Sequence, residues 1–112
     1  MKIMFIGLSG YDYPFTRVRC YHFAKILKEY GIESEVLSFK DHLAPEIEES
    51  EIFDLEDGDK LKLIRKAFWR LFREKDDTVF YIQKIHYNAA APFLLHRLRK
   101  TKFILDYDDS RE

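Results

Sequence analysis

Glycines, basic residues and adjacent aspartates follow three short apolar runs of this sequence. The residues with this placement are Gly7, Gly10, Arg17, Arg19, Lys84, Asp108 and Asp109. Glycine lets a backbone approach a ligand closely, guanidinium and ammonium groups bind phosphate or carboxylate, and a carboxylate can orient a hydroxyl group or accept its proton. Because the carboxyl ends of parallel strands meet at one edge of a sheet, where α/β proteins bind ligands, we expect these residues to form one site.

The first loop, residues 7–15, is longer than the roughly two to six residues of most strand-to-helix connections, which suggests a function. Thr16 is predicted to cap the following helix through its hydroxyl group. Arg17 and Arg19 then fall in the first turn, where the positive end of the helix dipole disfavours them. Together with backbone N–H groups they would suit a phosphate or carboxylate ligand. The alternative is that both arginines lie along the helix surface and pair with Asp12 or another acid.

Two adjacent carboxylates point in different directions, so we expect only one of Asp108 and Asp109 to face the site. That carboxylate could orient a hydroxyl group or accept its proton. An arginine nearby, such as Arg17, would keep its pKa low and favour orientation over proton abstraction. The alternative is that Asp106 or Asp109 caps a following helix.

Four apolar or β-rich runs are predicted to be strands: residues 2–6, 33–39, 78–83 and 102–105. Apolar residues at helical spacing predict helices in between, the first of them ending at Gly31. Right-handed crossovers then give an α/β fold, a Rossmann-like parallel sheet of about four strands in the order 3-2-1-4 with helices on both faces. The strand side chains expected in its core are Ile3, Phe5, Val36, Leu37, Phe80, Ile82 and Ile104.

The middle of the chain changes in charge. From Glu46 to Asp59 every charged residue is acidic, and this run predicts a solvated loop rather than a metal site, because no spacing brings the carboxylates together. The helix predicted over residues 61–75 carries an apolar stripe, with Trp69 near its boundary. Its opposite side is basic, with Lys62, Lys66, Arg70 and Arg73. Such a face suits either solvent or an anionic bilayer.

Composition limits the classes of function. The 112 residues predict a single domain, 46% of them are hydrophobic, and the net charge of −1 with a pI near 6.4 argues against nucleic-acid binding. The single cysteine, Cys20, fits a reducing compartment, and no apolar run approaches the roughly 20 residues of a membrane span. We therefore expect a cytoplasmic protein that needs no cofactor.

The opening block, MKIMFIG, LSG, TRVRCYHFAKILKEYG and SEVLSF, resembles the start of a GT-B glycosyltransferase of the group 1, family 4-like type. Such enzymes begin with an MKI-type strand, a glycine loop, an arginine near the first helical turn and a helix that ends in L-x-x-x-G. The stretch TVFYIQK…KFILDYDD is similar to the family's later paired strands. The likeness extends over nearly all of this chain but only over the first part of the family, since the family's second, donor-sugar domain is absent from this sequence.

The resemblance implies transfer of a sugar from a nucleotide-sugar donor to the hydroxyl group of a carbohydrate or lipid-linked acceptor. It places Gly7 and Gly10 near the acceptor and the donor phosphates. Asp108 and Asp109 stand where the family often has a histidine and an aspartate, so the role of the histidine does not carry over. The resemblance implies that residues 1–112 are the acceptor-side domain and that they are inactive alone. A peripheral location at the inner face of a membrane is the alternative to a purely cytoplasmic one.

Two other interpretations remain open. FILDYDD also resembles the D-x-D motif of GT-A glycosyltransferases, in which carboxylates hold a divalent metal against a nucleotide diphosphate. The arginine block in the first helix is unusual for that fold. The other interpretation is a non-catalytic α/β binding or assembly module related to glycosyltransferases.

Overall fold

A computed structural model describes residues 1–13, 16–48, 50–75, 77–83 and 86–106 of the chain, apart from the side chain of Asp106. The described strands are β1 Lys2–Gly7, β2 Glu33–Ser38, β3 Thr78–Gln83 and β4 Lys102–Asp106. The α-helices are α1 Phe23–Glu29, α2 Asp57–Phe72 and α3 Ala90–Arg99. Three shorter helical segments also occur: π-helical turns at Arg17–His22 and Phe39–Leu43, and a 3-10 turn at Tyr87–Ala89.

The four strands form one parallel sheet, which confirms the predicted α/β class. Their order is β2-β1-β3-β4. The predicted order, 3-2-1-4, shares the β2–β1 pair, but β3 lies on the other side of β1 instead of beyond β2. Because crossovers are right-handed, the chain changes face when it reverses direction across the sheet. This reversal separates α1 from α2 and α3.

Alternating side chains of the strands fill two cores, one on each face of the sheet. On one face Met4 and Ile6 pack with Phe80 and with the inner sides of α2 and α3. On the other face Phe5 packs with Cys20, in the first π-helical turn, and with Ala24 of α1. The helices on both faces are therefore required to cover a sheet that is apolar on both sides.

Most of the predicted core is confirmed, with one correction. Phe5, Leu37, Phe80 and Ile82 are buried, and Ile3 and Val36 are partly buried against the smaller core. Ile104 is instead 50% exposed, so its predicted burial is wrong. Among the described strands β4 pairs only with β3, and Ile104 is on the face where α1 covers β1 and β2.

The amphipathic helix predicted over residues 61–75 begins earlier, at Asp57. Asp57 and Asp59 occupy its first turn, where the helix dipole favours negative charge. Gly31 has a positive φ of 83° after α1, as its predicted role at the helix end requires. No helix within the described ranges has both the length and the apolar character needed to cross a bilayer.

Candidate functional site

Two close approaches at glycine positions shape the loop after β1. A Cβ atom at Gly7 would lie 3.1 Å from Thr16 and 3.3 Å from the sulfur of Cys20, so glycine lets the first helical segment approach the end of the strand. A Cβ atom at Gly10 would overlap the carboxylate of Asp41, which would have to move. Both glycines predicted to bind substrate therefore also allow close packing of the loop itself.

Asp41, in the π-helical turn after β2, holds this loop in place. Its Oδ2 accepts hydrogen bonds from the backbone N–H of Tyr11 at 2.8 Å and from the hydroxyl of Tyr21 at 2.6 Å. Burial, together with the neighbouring Asp41 carboxylate, raises the pKa of Tyr21. The turn is itself fixed by Ser38, whose hydroxyl accepts from the backbone N–H of Asp41 and donates to the carbonyl of Ser9.

Buried hydroxyl and amide groups join the carboxyl ends of β1 and β3. The hydroxyls of Ser9 and Thr16 are 2.7 Å apart, and the Thr16 hydroxyl donates to Oε1 of Gln83 at 3.4 Å. All three residues are buried. The prediction that the Thr16 hydroxyl caps the following helix is wrong: Thr16 has helical dihedral angles and makes no side-chain cap bond. Its hydroxyl instead bonds to the side chains of Ser9 and Gln83 at the carboxyl ends of β1 and β3.

Asn88 lies beneath the same junction and is fully buried. Its Nδ2 donates to the carbonyl of Gln83 at 3.1 Å and to that of Ile6 at 3.4 Å, and its Oδ1 accepts from the backbone N–H of His86 at 2.8 Å. One amide side chain thus contacts a carbonyl near the carboxyl end of each central strand. It also fixes the turn that leaves β3.

Arg17 folds back onto the loop that it was predicted to complete. Its Nη1 donates to the carbonyl of Tyr11 at 3.3 Å, and its guanidinium lies 5.5 Å from the centre of the Tyr11 ring. Arg19 lies in the same π-helical segment and is partly buried. The guanidinium group of Arg17 has five N–H donors, so this contact leaves capacity for a ligand at the loop.

Aromatic rings border the same edge. The ring of Tyr13 is 5.9 Å from that of Phe53, which is 5.9 Å from His86, and His86 is 5.3 Å from Tyr87. Burial raises the pKa of Tyr87 to about 12, and its hydroxyl donates to the carbonyl of Ile52. His86 is exposed at this border. Rings of this kind offer flat apolar faces to a sugar or a base.

The structure places Gly7, Gly10 and Arg17 in and beside one loop, and their role in binding a ligand stays a prediction. Lys84, Asp108 and Asp109 lie outside the described residues, and their assignment to the site stays a prediction. Within the described residues no three His, Cys, Asp or Glu side chains are grouped as metal ligands.

Sequence reasoning missed the residues that shape this edge: Ser9, Asp41, Gln83, His86 and Asn88. A signal was present for Gln83, because an amide ends the otherwise apolar or β-branched run TVFYIQ. No local pattern marks Asp41 or Asn88, whose partners are distant in sequence.

The basic residues predicted to share one face of the long helix do not all do so. Lys62, Lys66 and Arg73 are exposed. Arg70 turns inward and forms ion pairs with Glu35 and Glu74, each at 2.6 Å. Its placement on the exposed basic face is therefore corrected, because the carboxylates of Glu35 in β2 and of Glu74 just after α2 bind it.

Comparisons with family models, with curated proteins and with solved structures found no match to this chain. The α/β class and the arrangement of the candidate site therefore rest on the structure.

Proposed function

We propose that this chain is the acceptor-side domain of a GT-B glycosyltransferase and that it binds an anionic sugar ligand at the carboxyl ends of β1 and β3. The observation that carries the proposal is the reversal of the chain across the sheet. From β1 the chain passes to β2 on one side of β1, and it then returns to form β3 on the other side. In open α/β sheets ligands bind in the crevice outside the strand ends at such a reversal.

The side chains around this reversal support a sugar ligand carrying a negative charge. The aromatic border of Tyr13, Phe53 and His86 provides apolar ring faces. Arg17 provides a guanidinium group that suits a phosphate or carboxylate. Asp108 and Asp109, from the predicted end of the fourth strand, would orient the attacking hydroxyl.

The first experiment measures binding by the 112-residue protein. We expect a sugar phosphate to shift the amide NMR signals of the loop after β1 and of His86, and Arg17→Ala to weaken this binding about tenfold. Arg73→Ala is the matched control, because it removes an exposed arginine from the far end of α2. Equal binding by both variants would contradict the anion role of Arg17.

The second experiment measures turnover. We expect no consumption of a nucleotide sugar by the 112-residue protein alone, because transfer requires donor and acceptor to be held together by two domains. Donor consumption above background would refute the expectation that transfer requires a second domain. In the longest version of the protein with activity, Asp108→Asn and Asp109→Asn should each be tested. Full turnover in both would remove these residues from the site.

A non-catalytic binding module is the second candidate, and one observation favours it. The buried polar groups at the strand ends, Ser9, Thr16, Gln83 and Asn88, bond to one another and to the backbone. Such a module would bind the same sugar phosphate and show no transfer in any longer version of the protein.

A further inference from the structure

The outer surface of α2 and α3 carries large apolar side chains that one copy of the chain leaves exposed. They are Leu61, Trp69, Phe72, Phe93, Leu94 and Leu98. Leu98 is 68% exposed and Leu61 is 59% exposed. A shallow groove between the two helices, with Ile64 and Phe68 in its lining, joins them into one surface, which we name the α2–α3 face. A contiguous apolar patch of this kind marks a surface that meets a partner.

Charge divides the segment that contains α2 into two halves. Every charged residue from Glu46 to Asp59 is acidic, and every charged residue from Lys60 to Arg73 is basic. The acidic run leads into the first turn of α2, where Asp57 is exposed, and the basic residues follow along the same helix. The net charge of the whole chain is only −1, so the surface is distinguished by the separation of the two signs and not by an overall excess.

Asp57, Leu61 and Arg65 lie on one stripe of α2, because each is four residues from the next. All three side chains are exposed. Within the described part of the chain neither Asp57 nor Arg65 forms an ion pair. Eight residues of helix, about 12 Å, separate the two, so they do not reach each other. The stripe thus presents a negative and a positive charge at equal distances on either side of a central leucine.

We propose that the α2–α3 face binds a second copy of this chain, in a dimer whose twofold axis passes beside Leu61 and sets the two α2 helices antiparallel. In this arrangement Asp57 of each copy lies beside Arg65 of the other, and Leu61 contacts Leu61. The same ion pair therefore forms twice, as a closed twofold interface requires. Parallel α2 helices would instead bring like charges together. Charge complementarity thus selects one orientation of the second copy.

Gly58 leaves room for this contact. It lies three residues before Leu61, and a Cβ atom at this position would meet nothing within 4 Å in a single copy. The fold of one copy therefore does not require glycine there, and glycine is among the poorest helix formers. In the dimer Gly58 opposes Ile64 of the second copy. A position without a side chain lets the two helices approach closely around the axis.

The same axis directs the acidic run of one copy toward the groove of the other. Glu51, Asp54 and Glu56 are exposed just before or at the start of α2. In an antiparallel pair they extend toward the basic part of the second copy, where Arg97 lines the groove and Lys66 lies beside it. An anionic bilayer would pair with the basic side chains and repel the acidic run next to them. A second copy pairs with both.

The first measurement is the mass of the 112-residue protein against concentration, by sedimentation equilibrium. We expect a reversible change from monomer to dimer, weakened by salt. Trp69, the only tryptophan of the chain, should shift its emission to the blue as the dimer forms. The dimer requires no sugar ligand, so its failure would leave the proposed function untouched. A mass that stays that of the monomer up to about 1 mM would overturn the proposal.

An exchange of charge tests the ion pair. Arg65→Glu should raise the dissociation constant of the dimer roughly 100-fold, because two attractive contacts with Asp57 become repulsive. Adding Asp57→Arg reverses both signs and should restore the constant to within about threefold. Lys25→Glu, at an exposed position of α1, is the matched control and should dimerise as the unaltered protein does. Equal weakening by the control, or no recovery in the exchanged pair, would overturn the proposal.

Two further variants test the position of the axis. Leu61→Cys should form a disulfide-linked dimer when diamide oxidises the thiols, because a residue on a twofold axis meets its own copy and the native Cys20 is buried. Ile26→Cys, exposed on α1, should not. Gly58→Leu should weaken the dimer roughly tenfold or more and leave the fold of the monomer intact, because the space is open in one copy.

Three results of these tests would contradict the proposal. One is the absence of a Leu61→Cys cross-link under conditions in which Ile26→Cys is equally unreactive. Another is undiminished dimerisation of Gly58→Leu. The third is a chain that stays monomeric in solution and binds vesicles of anionic lipid with a blue shift of Trp69, which would assign the face to a bilayer.

Discussion

At the amino end of the sheet four ionised side chains form a closed ring, whereas at the carboxyl end neutral hydroxyl and amide groups join the strands. In the ring Lys2 lies 2.6 Å from Glu35 and 2.9 Å from Glu74, and Arg70 lies 2.6 Å from each of the same carboxylates. At the opposite end Ser9, Thr16, Gln83 and Asn88 bond to one another and to the strand carbonyls.

The ring keeps its charges because each ion has two partners of opposite sign. Burial by itself would raise the pKa values of Glu35 and Glu74, but hydrogen bonds and attraction from Lys2 and Arg70 lower both below 4.5. Burial by itself would lower the pKa of Lys2, but the two carboxylates raise it above 10.5. The two positive and two negative charges of the ring therefore neutralise one another, and the ring has no net charge that could bind a ligand.

The carboxyl end differs because its buried polar groups are uncharged. A neutral network can join strand ends without the desolvation cost of buried ions. Because this network is uncharged, the local charge is set by the residues at its border, such as Arg17. The comparison indicates that the charged ring at the amino end contributes to stability, while the carboxyl end is where we propose that a charged ligand binds.

The largest expected effect is at the carboxyl end. Asn88→Ala should lower the free energy of unfolding by about 3 kcal/mol, because two strand carbonyls lose a buried donor and a cavity remains. Urea denaturation followed by circular dichroism measures this. Glu46→Ala, at an exposed position in a turn, is the control and should stay within about 0.5 kcal/mol. An unchanged midpoint for Asn88→Ala would show that the neutral network is not needed.

The ring comes next, and its two carboxylates should differ. Glu74→Gln should cost about 2 kcal/mol, because the side chain of Glu74 is only 9% exposed and both cations lose a partner. Glu35→Gln should cost about 1 kcal/mol, because its side chain is 42% exposed and solvent screens the loss. Equal costs would mean that burial does not set the strength of the ring. Glu29→Gln, exposed at the end of α1, serves as the control.

The ring also predicts how stability depends on pH. The pKa values of Glu35 and Glu74 are lower in the folded protein than the ordinary 4.5, so the unfolded chain takes up protons first as the pH falls. The stability that the ring contributes is present above pH 4.5 and decreases as the pH falls through the folded pKa values. Denaturation midpoints measured across this range should fall less steeply in the double variant Glu35→Gln with Glu74→Gln. An identical slope in the double variant would place the acid sensitivity elsewhere.

An effect as small as that of Glu35→Gln is expected from the loss of a single hydroxyl group. Thr16→Val should cost about 1 kcal/mol, because Ser9 and Gln83 lose a buried hydrogen-bond partner while the side-chain shape is kept. Thr16→Ser retains the hydroxyl and separates this loss from the loss of the methyl group. If Thr16→Val unfolds at the same urea concentration as the unaltered protein, the hydroxyl bonds do not contribute to stability.

Local patterns predicted the elements well, because strands and helices follow from spacing within a few residues. The runs predicted at 33–39 and 78–83 contain the strands Glu33–Ser38 and Thr78–Gln83, and Gly31 follows the first helix with a positive φ. The predictions for Thr16, Arg70 and Ile104 failed for a shared reason. Each depends on a neighbour from another part of the chain: the Ser9 and Gln83 side chains, the Glu35 carboxylate, or the helix that covers one face of the sheet.

The sequence by itself determined the α/β class, the glycine loop after the first strand and the position of Arg17 beside it. These features follow from side-chain periodicity and from residues that are close along the chain. The tertiary structure alone decided that β3 lies beside β1 and that Asn88 reaches the carbonyl of Ile6, 82 residues away. It also turned Arg70 inward and left Arg65 outward on the same helix. Strand order and helix rotation are set by how all the apolar faces are buried together, and no short segment of the sequence contains that information.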